Sequence, residues 1–291
     1  MMRRRFLYGH AFVILPQHDG SVFLMALRVA CLSLSVAAGF AIALILPQLG
    51  AEERRAAMRF WARSLLWSLG VRLRISGELP HAPGLIVANH ISWMDVIALI
   101  AVCPAAFVCK SEVAAWPGIG WLLARADTIF IRRGSFRDAL RVNEELGRRW
   151  HDQETIAIFP EGTTTDGSIV LPFRAALFQP ALERGLAIYP AAIVYSSPEA
   201  SYVGDTSFAE SLLTIARANG LEVRLAFLQP LAAAALNRKQ AAAAARFAIA
   251  AESRLSLGAF AKAARARRRH AQRLALPRFA RGSSATIGRP F

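Results

Sequence analysis

Between residues 73 and 230, short apolar runs rich in β-branched residues alternate with segments long enough for helices, and no other feature of the chain restricts its fold as strongly. The apolar runs predict strands at 73–77, 84–89, 105–109, 128–131, 155–159, 187–194 and 221–228. The segments between them predict helices at 93–102, 112–125, 136–150, 174–184 and 207–219. Strands joined by helical crossovers run parallel and need cover on both faces. The expectation is an α/β fold over residues 71–230, with a central, mostly parallel sheet flanked by helices. In such sheets reactive groups collect where strands end and loops begin.

The two flanks differ from this middle. No charged residue occurs from Val29 to Ala51, and Val29–Leu46 is almost wholly apolar. That run meets the roughly 18 residues needed for a membrane-crossing helix. A secretory signal fits less well, because its apolar part typically holds about 7–15 residues and starts earlier. Arginines flank the run on both sides, so their distribution leaves spanning or re-entrant placement open. In the next segment, 53–70, Arg55, Arg59 and Arg63 form one stripe and Met58, Trp61, Leu65 and Leu69 another. This is the pattern of an amphipathic helix at a membrane interface, or of a surface helix on the domain. Residues 1–70 are therefore expected to form a hydrophobic and amphipathic helical membrane anchor. Residues 231–291 read as an alanine-rich helix near 232–251 and a tail with no acidic residue beyond Glu252. Lys262, Arg265, Arg267, Arg268, Arg269 and Arg273 make that tail basic, which suits either solvation or contact with anionic lipid.

A formal net charge of +15 beside 55% hydrophobic residues fits a protein on an anionic membrane. Nucleic acid is not an expected partner, because neither zinc-finger spacing nor an RNA-recognition aromatic motif is present. Cys31, Cys103 and Cys109 lack metal spacing and read as reduced thiols.

The segment Leu85–Ala88 stops at Asn89-His90, and Ser92 and Asp95 follow. Ser92 is placed to cap the next helix, with Asp95 as its third residue in a capping-box arrangement. Capping gives no reason for His90. An aspartate accepting from one imidazole nitrogen would fix the tautomer and leave the other nitrogen as a general base. Two further strands end in Arg132-Arg133 and in Pro160-Glu161-Gly162-Thr163. A base, a cationic clamp suited to phosphate and a glycine-containing turn thus meet at one sheet edge. Pro190 lies within another strand pattern and marks an edge or irregular position.

In order and spacing, Asn89-His90-x-Ser92-x-x-Asp95, Phe130-Ile131-x-Arg133, Phe159-Pro160-Glu161-Gly162-Thr163 and the Pro190 strand resemble the blocks of the lysophospholipid acyltransferases, including bacterial 1-acylglycerol-3-phosphate acyltransferases. The resemblance covers about residues 70–230. It implies transfer of a fatty acyl group from acyl-carrier protein or coenzyme A to a lysolipid hydroxyl, with these thioesters as substrates and no cofactor or metal. His90 would be the base and Asp95 its support. Arg133 would hold acceptor phosphate, Glu161, Gly162 and Thr163 would shape the acceptor site, and Pro190 its wall. Backbone amides at Gly162-Thr163 would help hold an anionic headgroup, and Lys110 would add charge or lie on the surface. The implied location is the bacterial inner membrane, with the catalytic domain facing the cytoplasm.

The resemblance points first to 1-acylglycerol 3-phosphate as acceptor and phosphatidic acid as product. One position departs from it: relatives acting on lysophosphatidic acid commonly carry arginine after Glu-Gly-Thr, and here that residue is Thr164. Arg132, Arg133 or Arg174 would have to compensate, or the acceptor has another headgroup, as in lyso-ornithine lipid. A reading from a different class is a non-catalytic basic membrane-binding protein. A dinucleotide site at Gly118-x-Gly120 is set aside because Leu123 replaces the third glycine.

Overall fold

In the computed structural model, residues 22–126, 128–131, 144–148, 150, 155–218, 220–233 and 236–275 are described. The elements follow in order as α1 (Val22–Ile45), α2 (Ala51–Ser68), β1 (Arg72–Ser76), β2 (Gly84–Ala88), α3 (Met94–Ile100), β3 (Ala106–Lys110), α4 (Ile119–Arg125) and β4 (Ile129–Ile131). A helical segment at 144–148, α5, precedes β5 (Ile156–Ile158), α6 (Gln179–Glu183), β6 (Ala187–Tyr195), α7 (Phe208–Arg217), β7 (Glu222–Phe227) and α8 (Arg238–Ala275).

All the expected strands form. They make one sheet in the order β1-β7-β6-β2-β5-β3-β4, and every described neighbouring pair is parallel except β6 with β7. Side chains alternate between the faces of a strand, so each face gathers its own core. Ile86, Ala88, Tyr189, Ile193, Val223 and Leu225 pack with Leu66, Leu69, Met94 and Leu99 from α2 and α3. Leu85, Val87, Ile156, Ile158 and Ile188 pack on the other face with Leu146, Phe178, Ala241, Ala245 and Ile249. The result is helix, sheet, helix in three layers, with apolar strands buried on both sides.

The helices differ in detail from expectation. The segment 112–125 divides into a 3-10 turn at Ser111–Ala115 and α4. Pro117 supplies no amide hydrogen there, and Gly118 adopts φ +73. Segment 174–184 opens as a 3-10 turn at Ala175–Phe178 before α6. Of the helix expected over 136–150, residues 136–143 lie outside the described residues. The alanine-rich helix begins later than expected, at Arg238, and runs on to Ala275, far past 251. Thus the first part of the basic tail is helical.

Pro190 is not at a sheet edge. It lies in central strand β6, opposite Val87 of β2. The irregularity it marks is on the other side, where pairing slips by one residue between Ile188↔Leu231 and Ala191↔Phe227. A residue without an amide hydrogen is tolerated where the ladder is already broken.

Most of helix α1, together with the 3-10 turn Leu46–Gln48 that follows it, forms a stretch, Met25–Gln48, with mean hydropathy 2.5, long and apolar enough to cross a membrane. One side of α1 is docked on the domain. Gly39 lies so close to Trp61 that a Cβ would sit 2.4 Å from the indole nitrogen. That nitrogen donates to the Ser35 carbonyl at 2.9 Å, and the Ser35 and Ser68 hydroxyls meet at 2.8 Å. The Arg28 guanidinium donates to the carbonyls of Ala216 and Ala218, at the end of α7. The other side of α1 leaves Leu27, Leu34 (72% exposed) and Leu44 uncovered.

In α2 the apolar stripe faces the protein. Leu65 and Leu69 are buried, Met58 packs on the same core, and Trp61 is bonded to α1. Of the two readings of this stripe, the packing bears out a helix on the domain, and the stripe holds α1 and the domain together. Phe60 and Trp67 are the large apolar groups that α2 exposes.

Candidate active site

Strand β2 is wholly buried and ends at Ala88. The next residue, Asn89, continues the ladder with its side chain: its Nδ2 donates to Ile193 O at 2.8 Å, and Ile193 N donates to its Oδ1 at 2.8 Å. An amide side chain reproduces a peptide's donor and acceptor, so the main chain is free to turn away. His90 is the first residue of that turn.

The His90 ring meets the carboxylate expected of it. Nδ1 lies 2.8 Å from Asp95 Oδ2. The amides of Ile91 and Ser92 donate to the same oxygen at 2.7 and 2.9 Å, and the Tyr195 hydroxyl donates to Oδ1 at 2.7 Å. Asp95 is fully buried. A carboxylate oxygen only accepts, so Nδ1 is the donor to Oδ2, and in the neutral ring the lone pair lies on Nε2. Phe159 stacks on the imidazole with centroids 4.1 Å apart and planes 14° apart. The ring keeps 21% exposure, enough for a substrate atom to reach it.

The expected capping box forms only in part. The Asp95 carboxylate accepts the Ser92 amide, but the Asp95 amide donates to Ser92 O, and Ser92 Oγ faces the Met94 amide at 3.4 Å. The helix starts at Met94, so Asp95 is its second residue, not its third. The carboxylate folds back over the loop toward His90 instead of serving the helix alone.

The turn after β5 holds the main chain of His90. Glu161, only 5% exposed, accepts the His90 amide on Oε1 and the Leu171 amide on Oε2, both at 2.8 Å. The Thr165 amide donates to the His90 carbonyl at 2.8 Å. Burial pushes the Glu161 carboxyl above its ordinary range, while the two amides pull it back. Here Glu161 braces the histidine loop.

Gly162 adopts φ +76, and a Cβ on it would lie 2.7 Å from Arg174 Nε. The bare glycine therefore lets an exposed guanidinium rest on the turn beside Glu161. The Gly162 amide donates to Phe159 O at 3.1 Å, so it closes the turn and is not held open for a headgroup. Thr163 is exposed at the turn, and Thr164 donates its hydroxyl to the Tyr202 carbonyl.

The structure thus gathers His90, Asp95, Glu161, Gly162 and Thr163 around one loop pair. Pro190 is buried mid-strand opposite Val87, before the strand reaches the site. Arg132 and Arg133 lie outside the described residues, as does the side chain of Lys110. Sequence reasoning assigned no role to Asn89, Phe159 or Tyr195. Asn89 and Phe159 stand inside the quoted motifs, whereas only the strand register brings Tyr195 to Asp95.

A model of the family described as Acyltransferase matches residues 70–194. The chain is 39% identical over 194 residues to the lyso-ornithine lipid O-acyltransferase of Pseudomonas aeruginosa, covering 65% of this chain and 75% of that protein. It is 34% identical over 161 residues to the 1-acyl-sn-glycerol-3-phosphate acyltransferase of Neisseria meningitidis, covering 55% of this chain and 63% of the relative. The crystal structure of the 1-acyl-sn-glycerophosphate acyltransferase of Thermotoga maritima shares the fold, with a TM-score of 0.62 and 17% identity over 80% of this chain and 94% of that one. The shared fold is α/β, and the family model and these relatives make the chain an acyltransferase. The chain belongs to the lysophospholipid acyltransferase family.

Proposed function

We propose that this acyltransferase is membrane-associated and moves a fatty acyl group from an acyl-carrier-protein or coenzyme A thioester to the free hydroxyl of a lysolipid, with His90 as general base. The observation that carries this reading is the His90–Asp95 pair, in which Nδ1 is engaged and Nε2 is available. The acceptor hydroxyl gives its proton to Nε2 as its oxygen attacks the thioester carbonyl. The intermediate collapses with cleavage of the C–S bond, and the imidazolium returns the proton to the departing thiolate. An ester and a free thiol result. The sequence contains no G-x-S-x-G elbow, in keeping with direct transfer.

The acceptor we assign is lyso-ornithine lipid. At Thr164, where relatives acting on lysophosphatidic acid carry arginine, a hydroxyl is turned to Tyr202 O and offers no cation. A phosphomonoester carries about −1.5 to −2 charge at neutral pH, whereas an ornithine head carries one carboxylate and one ammonium. Arg174 on Gly162 suffices for a carboxylate. The similarity to the Pseudomonas enzyme supports the same assignment. A second reading, 1-acylglycerol 3-phosphate, draws on the Neisseria relative and requires Arg174 to serve a phosphate. The exposed side of α1 and the net charge of +15 support attachment to an anionic bacterial inner membrane, with the catalytic domain on the cytoplasmic side.

The test is acyl transfer by purified protein in detergent or liposomes, with labelled acyl-carrier protein or acyl-coenzyme A offered to each acceptor. Product mainly from lyso-ornithine lipid is expected. Product mainly from 1-acylglycerol 3-phosphate overturns the headgroup assignment and leaves the chemistry standing. His90→Ala is expected to abolish turnover while liposome binding persists, and full activity in that variant overturns the base.

A further inference from the structure

Asp95 holds His90 through one oxygen only. Oδ2 receives His90 Nδ1 and the amides of Ile91 and Ser92, while Oδ1 receives the Tyr195 hydroxyl. Among the described residues no other hydrogen bond to Oδ1 is present. Tyr195 reaches it from the end of β6 because Asn89 locks Ile193, on the same strand, against the end of β2. The phenol is buried, and besides Asp95 it meets the side chain of Ser92.

We infer that Tyr195 is a positioning residue of the His90–Asp95 pair: its hydroxyl fixes the rotation of the carboxylate and tempers the charge that the imidazole feels. This rests on His90 acting as the base. Burial first, and then the charge of Asp95, hold the phenol well above its ordinary range, so it stays protonated and serves Asp95 as a donor. The two oxygens of a carboxylate turn together about its last bond, and the Tyr195 hydroxyl on Oδ1 resists that turn from the side opposite the three donors on Oδ2. Second partners hold metal-bound histidines in orientation in the same way. The Tyr195 hydroxyl also spreads the carboxylate's negative charge, which the neighbouring imidazole then feels less strongly.

Tyr195→Phe keeps the ring and removes only the hydroxyl. The titratable and charged groups around His90 among the described residues are Asp95 from α3 and Glu161 from the turn after β5, with Arg174 lying on that turn; Tyr195 from β6 acts through Asp95. The substitution leaves the other three in place. The expected result is a kcat up to about 10²-fold lower, from a slightly misplaced base, with KM for both substrates nearly unchanged. The acid limb of the kcat–pH profile should move upward by about one pH unit. 3-Fluorotyrosine at position 195, a stronger donor of the same shape, should keep activity and move that limb downward.

A Tyr195→Phe protein with unchanged kcat and acid limb, altered only in thermal stability, overturns the inference. If Tyr195→Phe does not fold, the fluorotyrosine protein decides, and an unmoved acid limb there overturns it equally. His90→Ala separates the two levels. Activity surviving in His90→Ala refutes the base itself, whereas its loss alongside an indifferent Tyr195 refutes only the positioning role.

Discussion

Replacing Glu161 separates two roles for one residue: a brace for the histidine loop, as its bonds to the His90 and Leu171 amides indicate, or a contact for the acceptor, as the family resemblance implies. Glu161→Ala leaves two amides without their acceptor in a site only 5% exposed. Each costs about 1–3 kcal/mol. Removing a carboxylate whose ionisation burial disfavours returns part of this, so the net loss is about 2–4 kcal/mol. Glu161→Gln keeps one acceptor oxygen and also removes the buried charge, for a net loss of about 1 kcal/mol. At roughly 2–4 °C per kcal/mol for a domain of this size, the alanine variant should lose about 4–16 °C in Tm and the glutamine variant about 2–4 °C. Thermal unfolding in detergent, followed by tryptophan fluorescence, reads both. Release of the His90 main chain should lower kcat in the alanine variant while acceptor KM stays near the wild-type value. Unchanged Tm in both variants together with a raised acceptor KM would show that the carboxylate touches substrate, and the bracing argument would be wrong.

The pH dependence of the same carboxylate follows from its raised pKa. The folded chain holds that proton more tightly than the unfolded one, so wild-type stability falls as pH rises from about 4.3 through the folded value. The Tm advantage of wild type over Glu161→Gln should therefore narrow across that window, and a constant gap refutes it. Arg174→Ala should raise acceptor KM about tenfold and leave the thioester KM unchanged, as expected for one charge-assisted contact of about 1.4 kcal/mol; an unchanged acceptor KM removes Arg174 from the headgroup site. Gly39→Val should push α1 off Trp61, lowering stability by about 1–3 kcal/mol and shifting tryptophan emission to the red, whereas wild-type values would mean that the close packing is not needed.

The sheet was legible in the sequence because its central strands are apolar on both faces and punctuated by polar loops. Every strand lies within a residue or two of its expected place. The helices were less legible at their ends. Pro117-Gly118 splits one, since a proline and a positive-φ glycine interrupt a pattern whose apolar spacing still looks helical. The continuation of α8 to Ala275 was hidden by composition: a basic run reads as solvated tail, yet alanine and arginine are among the strongest helix formers. The stripe on α2 was legible as amphipathic, but its two readings, membrane interface or domain surface, stayed open until the packing decided for the domain. Periodicity reports that a face is apolar, not whether lipid or protein covers it.

The same distinction explains what could be read of the site. His90 and Asp95 stand close in sequence, so one loop and one helical turn suffice to join them, and the pattern itself carries the geometry. Glu161 stood in a recognisable block, but its partners are main-chain amides, which leave no mark on the identity of the residues that own them. Tyr195 is separated from Asp95 by about a third of the chain, and its hydroxyl arrives only because β6 lies beside β2 and Asn89 sets where the pairing ends. A tyrosine at the end of an apolar strand otherwise reads as core. The chemistry of this fold is thus written locally, while the groups that hold that chemistry in place are written in the strand order, and Asn89 is the residue where the two meet.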